Sequence, residues 1–197
     1  MYRALIYRPL FGFVALWIGM AAERVSAEET KLPVVLSGGY ETDPRDRGRP
    51  VVLVAAGLGV KPEVFREAFS GVRPSKNGPP SEDEARRNKQ ALMKVLGPLQ
   101  VTNDRLDEVS NYYRYRRQAG EHWKSRPASA YAIVVDGKIQ RVELSEAGAG
   151  YSSPPEAKVD GLDGVTLVVK LHFGQDLATN GSIETIEVAP SSASTKP

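Results

Sequence analysis

Two hydrophobic periods follow one another along this chain, and the change between them divides it. From Val51 to about residue 118 the chain reads as helical, its apolar residues recurring at helical spacing. Ser81-Glu82-Asp83-Glu84 forms a capping box, in which the Ser81 hydroxyl accepts from the Glu84 amide while Glu84 reaches back. Ala85, Leu92, Val95 and Leu96 follow on one face, and Gly97-Pro98 stops the run. A further helix starts near Thr102–Asp104 with Leu106, Val109 and Tyr113 at i, i+3 and i+7, and Gly120 ends it. Val51–Leu58 is ambiguous alone, because its β-branched residues also suit a strand. An internal echo favours helix: aligning Val60 with Val101 puts Phe65 on Leu106 and Ala68 on Val109, so both copies read helix, Leu-Gly break, valine, helix.

From Tyr131 the period is two. Tyr131–Val135 is apolar, and Asp136-Gly137 is a two-residue hairpin signal because both residues tolerate positive φ. Lys138–Ser145 returns, Ala157 and Val159 share one side of a short strand, and Val165, Leu167, Val169, Leu171 and Phe173 alternate along a longer one. Gly137–Leu144 and Gly181–Val188 share the pattern Gly-x-Ile-x-x-Val/Ile-Glu-Leu/Val, each as the return strand of a hairpin. Two copies fall short of a solenoid and point to a small self-closed β unit. The predicted fold class is α+β: a helical N-terminal part with two helix-turn-helix units, then a small antiparallel β module. The divisions are an extended polar segment at 28–50 with a short strand at Pro33–Leu36, a helical domain at 51–124, a linker at 125–130, the β module at 131–189 and a disordered small-residue tail at 190–197. Asn77-Gly78-Pro79-Pro80 is read as a linker between the two helical units.

The first 27 residues change the picture of where the chain works. Arg3 and Arg8 precede the uncharged, mostly apolar run Pro9–Ala22, and Val25-Ser26-Ala27 supplies small residues for cleavage after Ala27. That is the layout of a secretory signal peptide, and the run is shorter than the ~20 residues that span a bilayer as a helix. The chain is therefore expected to be exported, to the periplasm or beyond, with no membrane span in its mature part. Its 26 Lys and Arg face 24 Asp and Glu, and removing Arg3, Arg8, Arg24 and Glu23 with the leader leaves the two signs equal. Overall charge then gives no reason to invoke nucleic acid. With no cysteine, thiol nucleophiles, thiolate metal sites and a lipid-modified Cys are excluded.

Gly137-x-Ile139-x-x-Val142-x-Leu144, followed by Gly148-x-Gly150-Tyr151-x-x-Pro154-Pro155-x-x-x-Val159, resembles the β-repeat modules of phage tail-fibre and bacterial surface proteins. Those modules chain many such corners between short strands, whereas this chain has one. The resemblance covers the C-terminal part and implies a folded structural module without catalytic residues. As a whole the chain is similar to exported bacterial proteins of uncharacterised activity.

The strongest candidate for recognition is the aromatic-basic run Asn111–Arg117 with His122 and Trp123 behind it. On a continuous helix Tyr112, Tyr115 and Arg116 fall near one another while Tyr113 turns inward. Tyr112, Tyr115, Arg116 and Trp123 are thus the candidate binding residues, able to stack on a sugar or serve a protein interface. The competing reading docks the tyrosines on the β part and leaves the arginines in water. Glu41, Asp43 and Asp46 could gather calcium, but Arg45, Arg47 and Arg49 between them favour an ion-paired loop. His122 and His172 are too few for zinc, and a His172–Asp176 hydrolytic pair lacks a nucleophile motif. Gly57-Leu58-Gly59 lacks the further glycine of a dinucleotide site. No catalytic residue, metal or cofactor is predicted. The expected function is a non-catalytic structural or interaction protein of the bacterial envelope or periplasm whose partner is an envelope protein or glycan. A glycan-binding module built on the aromatic helix is the alternative, and a hydrolase the third.

Overall fold

The computed structural model describes residues 28–73, 75 and 80–190. The leader and its cleavage position, residues 77–79 of the linker, and 191–197 of the tail lie outside them. The fold is α+β. Helices α1 (Val51–Leu58), α2 (Pro62–Ser70), α3 (Glu82–Leu96) and α4 (Asn103–Tyr112) precede all but the first of six strands. The strands are β1 (Thr30–Ser37), β2 (Ser129–Val135), β3 (Lys138–Glu146), β4 (Glu156–Val159), β5 (Leu167–His172) and β6 (Ser182–Val188).

Local chemistry explains the helix ends. The capping box at Ser81 and Glu84 forms with both reciprocal bonds. Thr102 caps α4 through its side chain, which accepts from the Arg105 amide at 3.1 Å. After α1, the Val60 amide donates to Ala55 and the Gly59 amide to Ala56, both at 2.9 Å; Gly59 is left-handed at φ 73. The same pair of bonds follows α3, from Val101 to Leu96 at 3.3 Å and from Gln100 to Gly97 at 2.9 Å. There the left-handed residue is Gln100, while Gly97 stays right-handed and opens a 3-10 turn, Gly97–Leu99. The α-helix nevertheless ends at Leu96 with Gly97 as its C-cap, so Gly97-Pro98 stops the run as read from the sequence, and the left-handed turn follows at Gln100.

A correction concerns α4, which ends at Tyr112 and not at Gly120. Gly120 caps a separate 3-10 turn, Arg117–Ala119. The run of three tyrosines has mediocre helix propensity, and Tyr113 is anchored inward by a bond between its hydroxyl and Asn180 Nδ2 at 2.9 Å. Residues after Tyr113 are thereby released from helical spacing.

The polar segment before the helices supplies an inner strand of the sheet. β1 pairs antiparallel with β2 and with β4, giving the order β3-β2-β1-β4. Leu32, Val34 and Leu36 face the core, and the strand is three residues longer at its N-terminal end and one at its C-terminal end than its apolar centre Pro33–Leu36 suggested. Pro33 is tolerated because β1 is paired there on the β2 side only, opposite Tyr131. The expected linker is also structured: Arg126 and Ala149 exchange amide-to-carbonyl bonds at 2.9 Å, and β2 begins at Ser129.

The Asp136-Gly137 hairpin forms as predicted, with both residues at positive φ. β5 and β6 form a separate two-stranded ladder. It is shorter than the alternating pattern, and Val165 and Phe173 lie outside it, exposed. β5 runs beside β4 and β6 beside β3, so the two sheets wrap one apolar cluster. Val34, Ala132, Val134, Ala157, Val159, Val169, Ile183 and Ile186 come from five strands, and Val142 of β3 packs against them.

The Gly148–Pro155 corner holds these pieces together. Gly150 and Tyr151 amides donate to Asn180 and Gly181 carbonyls at 2.9 Å, and the Ser152 amide donates to Gly39 at 2.9 Å. Tyr151 is buried, stacks on Tyr40 at 5.3 Å, and its hydroxyl accepts from the Ala128 amide at 2.9 Å. A Cβ at Gly150 would meet the Lys124 carbonyl at 2.7 Å, so the residue before Tyr151 must be glycine.

The link to the helices is the loop between β5 and β6. Asn180 is fully buried and donates to the Leu53 carbonyl at 2.8 Å as well as to Tyr113. Leu177 joins the helical core cluster against Gly57 and Val109. Arg105 reaches the Gly57 carbonyl at 3.0 Å and also donates to Gln175. Among the described residues no helix is long and apolar enough to cross a membrane.

Candidate functional site

The four candidate binding residues do not form one face. Trp123 is 4% exposed, and its indole N–H donates to the Gly150 carbonyl at 2.8 Å. Tyr115 is half-buried, edge-on to Trp123 at 5.6 Å, with its hydroxyl donating to the Gly48 carbonyl. Tyr112 packs edge-on against Tyr113 and carries the Lys124 ammonium over its ring at 4.7 Å. Arg116 is exposed and paired with Glu121. Because α4 ends at Tyr112, the helical spacing that would have aligned Tyr112, Tyr115 and Arg116 is absent. The aromatic rings mostly contact one another and the corner rather than solvent.

What the run does instead is meet the polar loop that precedes α1. Tyr115 holds Gly48, and Arg117 Nη1 donates to the Arg47 carbonyl at 2.7 Å. Two stretches separated by about seventy residues thus build one basic surface. Sequence periodicity carries no signal for this pairing.

The loop is rigid for local reasons. Asp43 caps the 3-10 turn Pro44–Asp46, accepting from the Arg45 amide at 2.9 Å. Its carboxylate also takes the Arg45 guanidinium at 2.6–3.1 Å. Arg47 then adopts the left-handed conformation at φ 52 and Gly48 follows at φ 84. A left-handed arginine costs about 1 kcal/mol, so neighbouring bonds must hold it. Beneath, the buried Asp46 carboxylate receives Arg66 through Nε and Nη2, both at 2.7 Å, a two-pronged geometry that fixes both planes. The remaining nitrogen of Arg66 reaches Glu63 at 3.1 Å.

Around this pair opens a cleft of about 430 Å³ lined by Arg45, Arg47, Arg49 and Arg66, with Phe69 and Ser70 at its α2 wall. Arg45 and Arg66 are matched by Asp43, Asp46 and Glu63. Arg47, Arg49 and Arg117 have no carboxylate within ion-pair distance among the described residues. Arg49 lies over the Phe69 ring at 4.6 Å, which supports one face of its guanidinium; its Nη1 donates to the Asp46 carbonyl at 3.4 Å, and its Nε and Nη2 make no hydrogen bond among the described residues. The site therefore presents fixed donors to an anion.

Two carboxylates of the loop beside the cleft are stabilised in their ionised form. Bonds from Arg45 hold Asp43 far below the ordinary carboxylate range, and the Ser153 hydroxyl lowers Glu41. Both stay ionised near neutrality. Asp43 and Asp46 are held by arginines, and among the described residues no three His, Asp or Glu gather as metal ligands. His122 packs edge-on against Tyr40 at 4.4 Å, and His172 is exposed on β5. Comparison with protein-family models, curated proteins and solved structures finds no match for the chain.

Proposed function

We propose that this chain is a non-catalytic interaction protein, exported to the envelope or periplasm of a bacterium, that holds an anionic group of its partner in the arginine cleft. The observation that carries this reading is the excess of guanidinium at one built site. Asp46 and Arg66 form a buried scaffold, while Arg47 and Arg49 line the cleft without a carboxylate of their own. Guanidinium groups bind carboxylate and phosphate through paired N–H donors, and the loop has already fixed their backbone before any ligand arrives.

Titrating the isotope-labelled chain with inorganic phosphate at constant ionic strength tests this. Amide chemical shifts are expected to move at residues 45–49, Arg66, Phe69 and Ser70. Shifts spread evenly over the surface arginines, or none at all, would contradict it.

A further inference from the structure

The basic cleft does not end at Arg49. Beyond it lies an apolar hollow of about 220 Å³, lined by Pro50, Val51, Val54, Phe65 and Tyr113, with Arg49, Arg114 and Tyr115 at its edge. Arg49, Val51 and Phe69 border both spaces, so the two adjoin at these residues as the halves of one groove. We infer that this groove receives the C-terminus of a peptide, with the terminal carboxylate on Arg49 and a bulky apolar final side chain in the hollow. The inference rests on the anion-binding reading above and names its ligand.

Three features favour that occupant. The stacked Arg49 guanidinium, at the junction of the two spaces, offers the planar fork that a carboxylate fits. A cavity of about 150 Å³ already accommodates benzene, so the hollow holds one aromatic or branched side chain and is too small for a lipid tail. The arginine-lined side is far larger than one carboxylate needs. Its guanidiniums suit the carbonyls of preceding residues. A carboxylate at one end and a ring at the other would use both halves at once.

Calorimetric titration with the tripeptides acetyl-Ala-Ala-Phe and acetyl-Ala-Ala-Gly, and with the Phe peptide as its amide, tests the assignment. The Phe acid is expected to bind at least tenfold tighter than both the Gly acid and the Phe amide. Arg49→Gln is expected to abolish the advantage of the acid over the amide. Val54→Phe, or Ser110→Leu if the first variant melts early, narrows the hollow and is expected to bring the Phe-to-Gly ratio towards one. Equal affinity for acid and amide, or for Phe and Gly, overturns the inference. So does 3-phenylpropionate binding as tightly as the tripeptide, since the ligand would then be a small acid. Phosphate shifts at the cleft without peptide selectivity would sink this inference alone, whereas absence of both would sink the anion-binding reading beneath it.

Discussion

At the scale of single residues, the most constrained polar group is Asn180. Its amide nitrogen is shared between the Leu53 carbonyl and the Tyr113 hydroxyl in a site with no exposure. Tyr113→Phe leaves one of those N–H groups without its acceptor, a loss of about 1–3 kcal/mol. Burial, the larger effect, raises the Tyr113 phenol from 10.0 to about 12, against the lowering by its bond with Asn180. The sign follows from linkage. Below pH 10 the phenol is neutral in both states, and between pH 10 and about 12 the unfolded chain loses the proton while the folded one keeps it. Wild-type stability should therefore fall by about 2–3 kcal/mol across that window from this group, and Tyr113→Phe should escape that part of the fall. Denaturant melts at pH 8, 10 and 12 should show the gap between the two proteins narrowing; parallel profiles would refute the buried-phenol account. The inward turn of Tyr113 was legible from its spacing to Leu106 and Val109. Its partner Asn180 was not, since a lone asparagine in a loop carries no sign of burial.

Among the secondary-structure elements, the sequence was most informative where one bond pattern decides the outcome. The capping box at Ser81 and the Asp136-Gly137 turn both rest on contacts within four residues, and both form as read. Helix ends were harder. Gly97-Pro98 stops α3 as read, although Gln100 takes the left-handed position, whereas Gly120 looked like the stop of α4 and the anchoring of Tyr113 ends that helix early. The Tyr112–Arg116 face was lost with that helical turn. Glycines at equal φ also differ by what surrounds them. Gly137 has φ 73 with open space where a side chain would stand, whereas Gly181 has φ 70 with the Tyr151 carbonyl at 2.5 Å and Leu53 at 2.6 Å. Gly137→Ala should cost about 1 kcal/mol from backbone strain alone. Gly181→Ala adds a clash between backbone groups and should cost at least 2 kcal/mol more. Equal melting temperatures for the two variants would show that the corner is not tightly packed against β6.

Across the whole molecule, the decisive contacts join stretches far apart in the chain. β1 enters the sheet beside β2 and β4, the β5–β6 loop plugs the helical core, and Arg117 reaches back to the polar loop at Arg47. None of these has a periodic signature, so the fold class was legible while the assembly of its parts was not. The same holds for the cleft. Residues Glu41–Arg49 were visible as a charged loop, but the buried Asp46–Arg66 pair and the surplus of Arg47 and Arg49 emerge only when α2 and the Tyr115–Arg117 segment close around it. Equal numbers of positive and negative side chains over residues 28–197 conceal this local excess. The most direct test compares pyrophosphate binding by the wild-type chain and by an Arg47→Gln, Arg49→Gln double variant, using calorimetry at low salt and matched melting temperatures. Loss of two charge-assisted donors should weaken binding at least tenfold, and undiminished affinity in the double variant would contradict the assignment of the cleft.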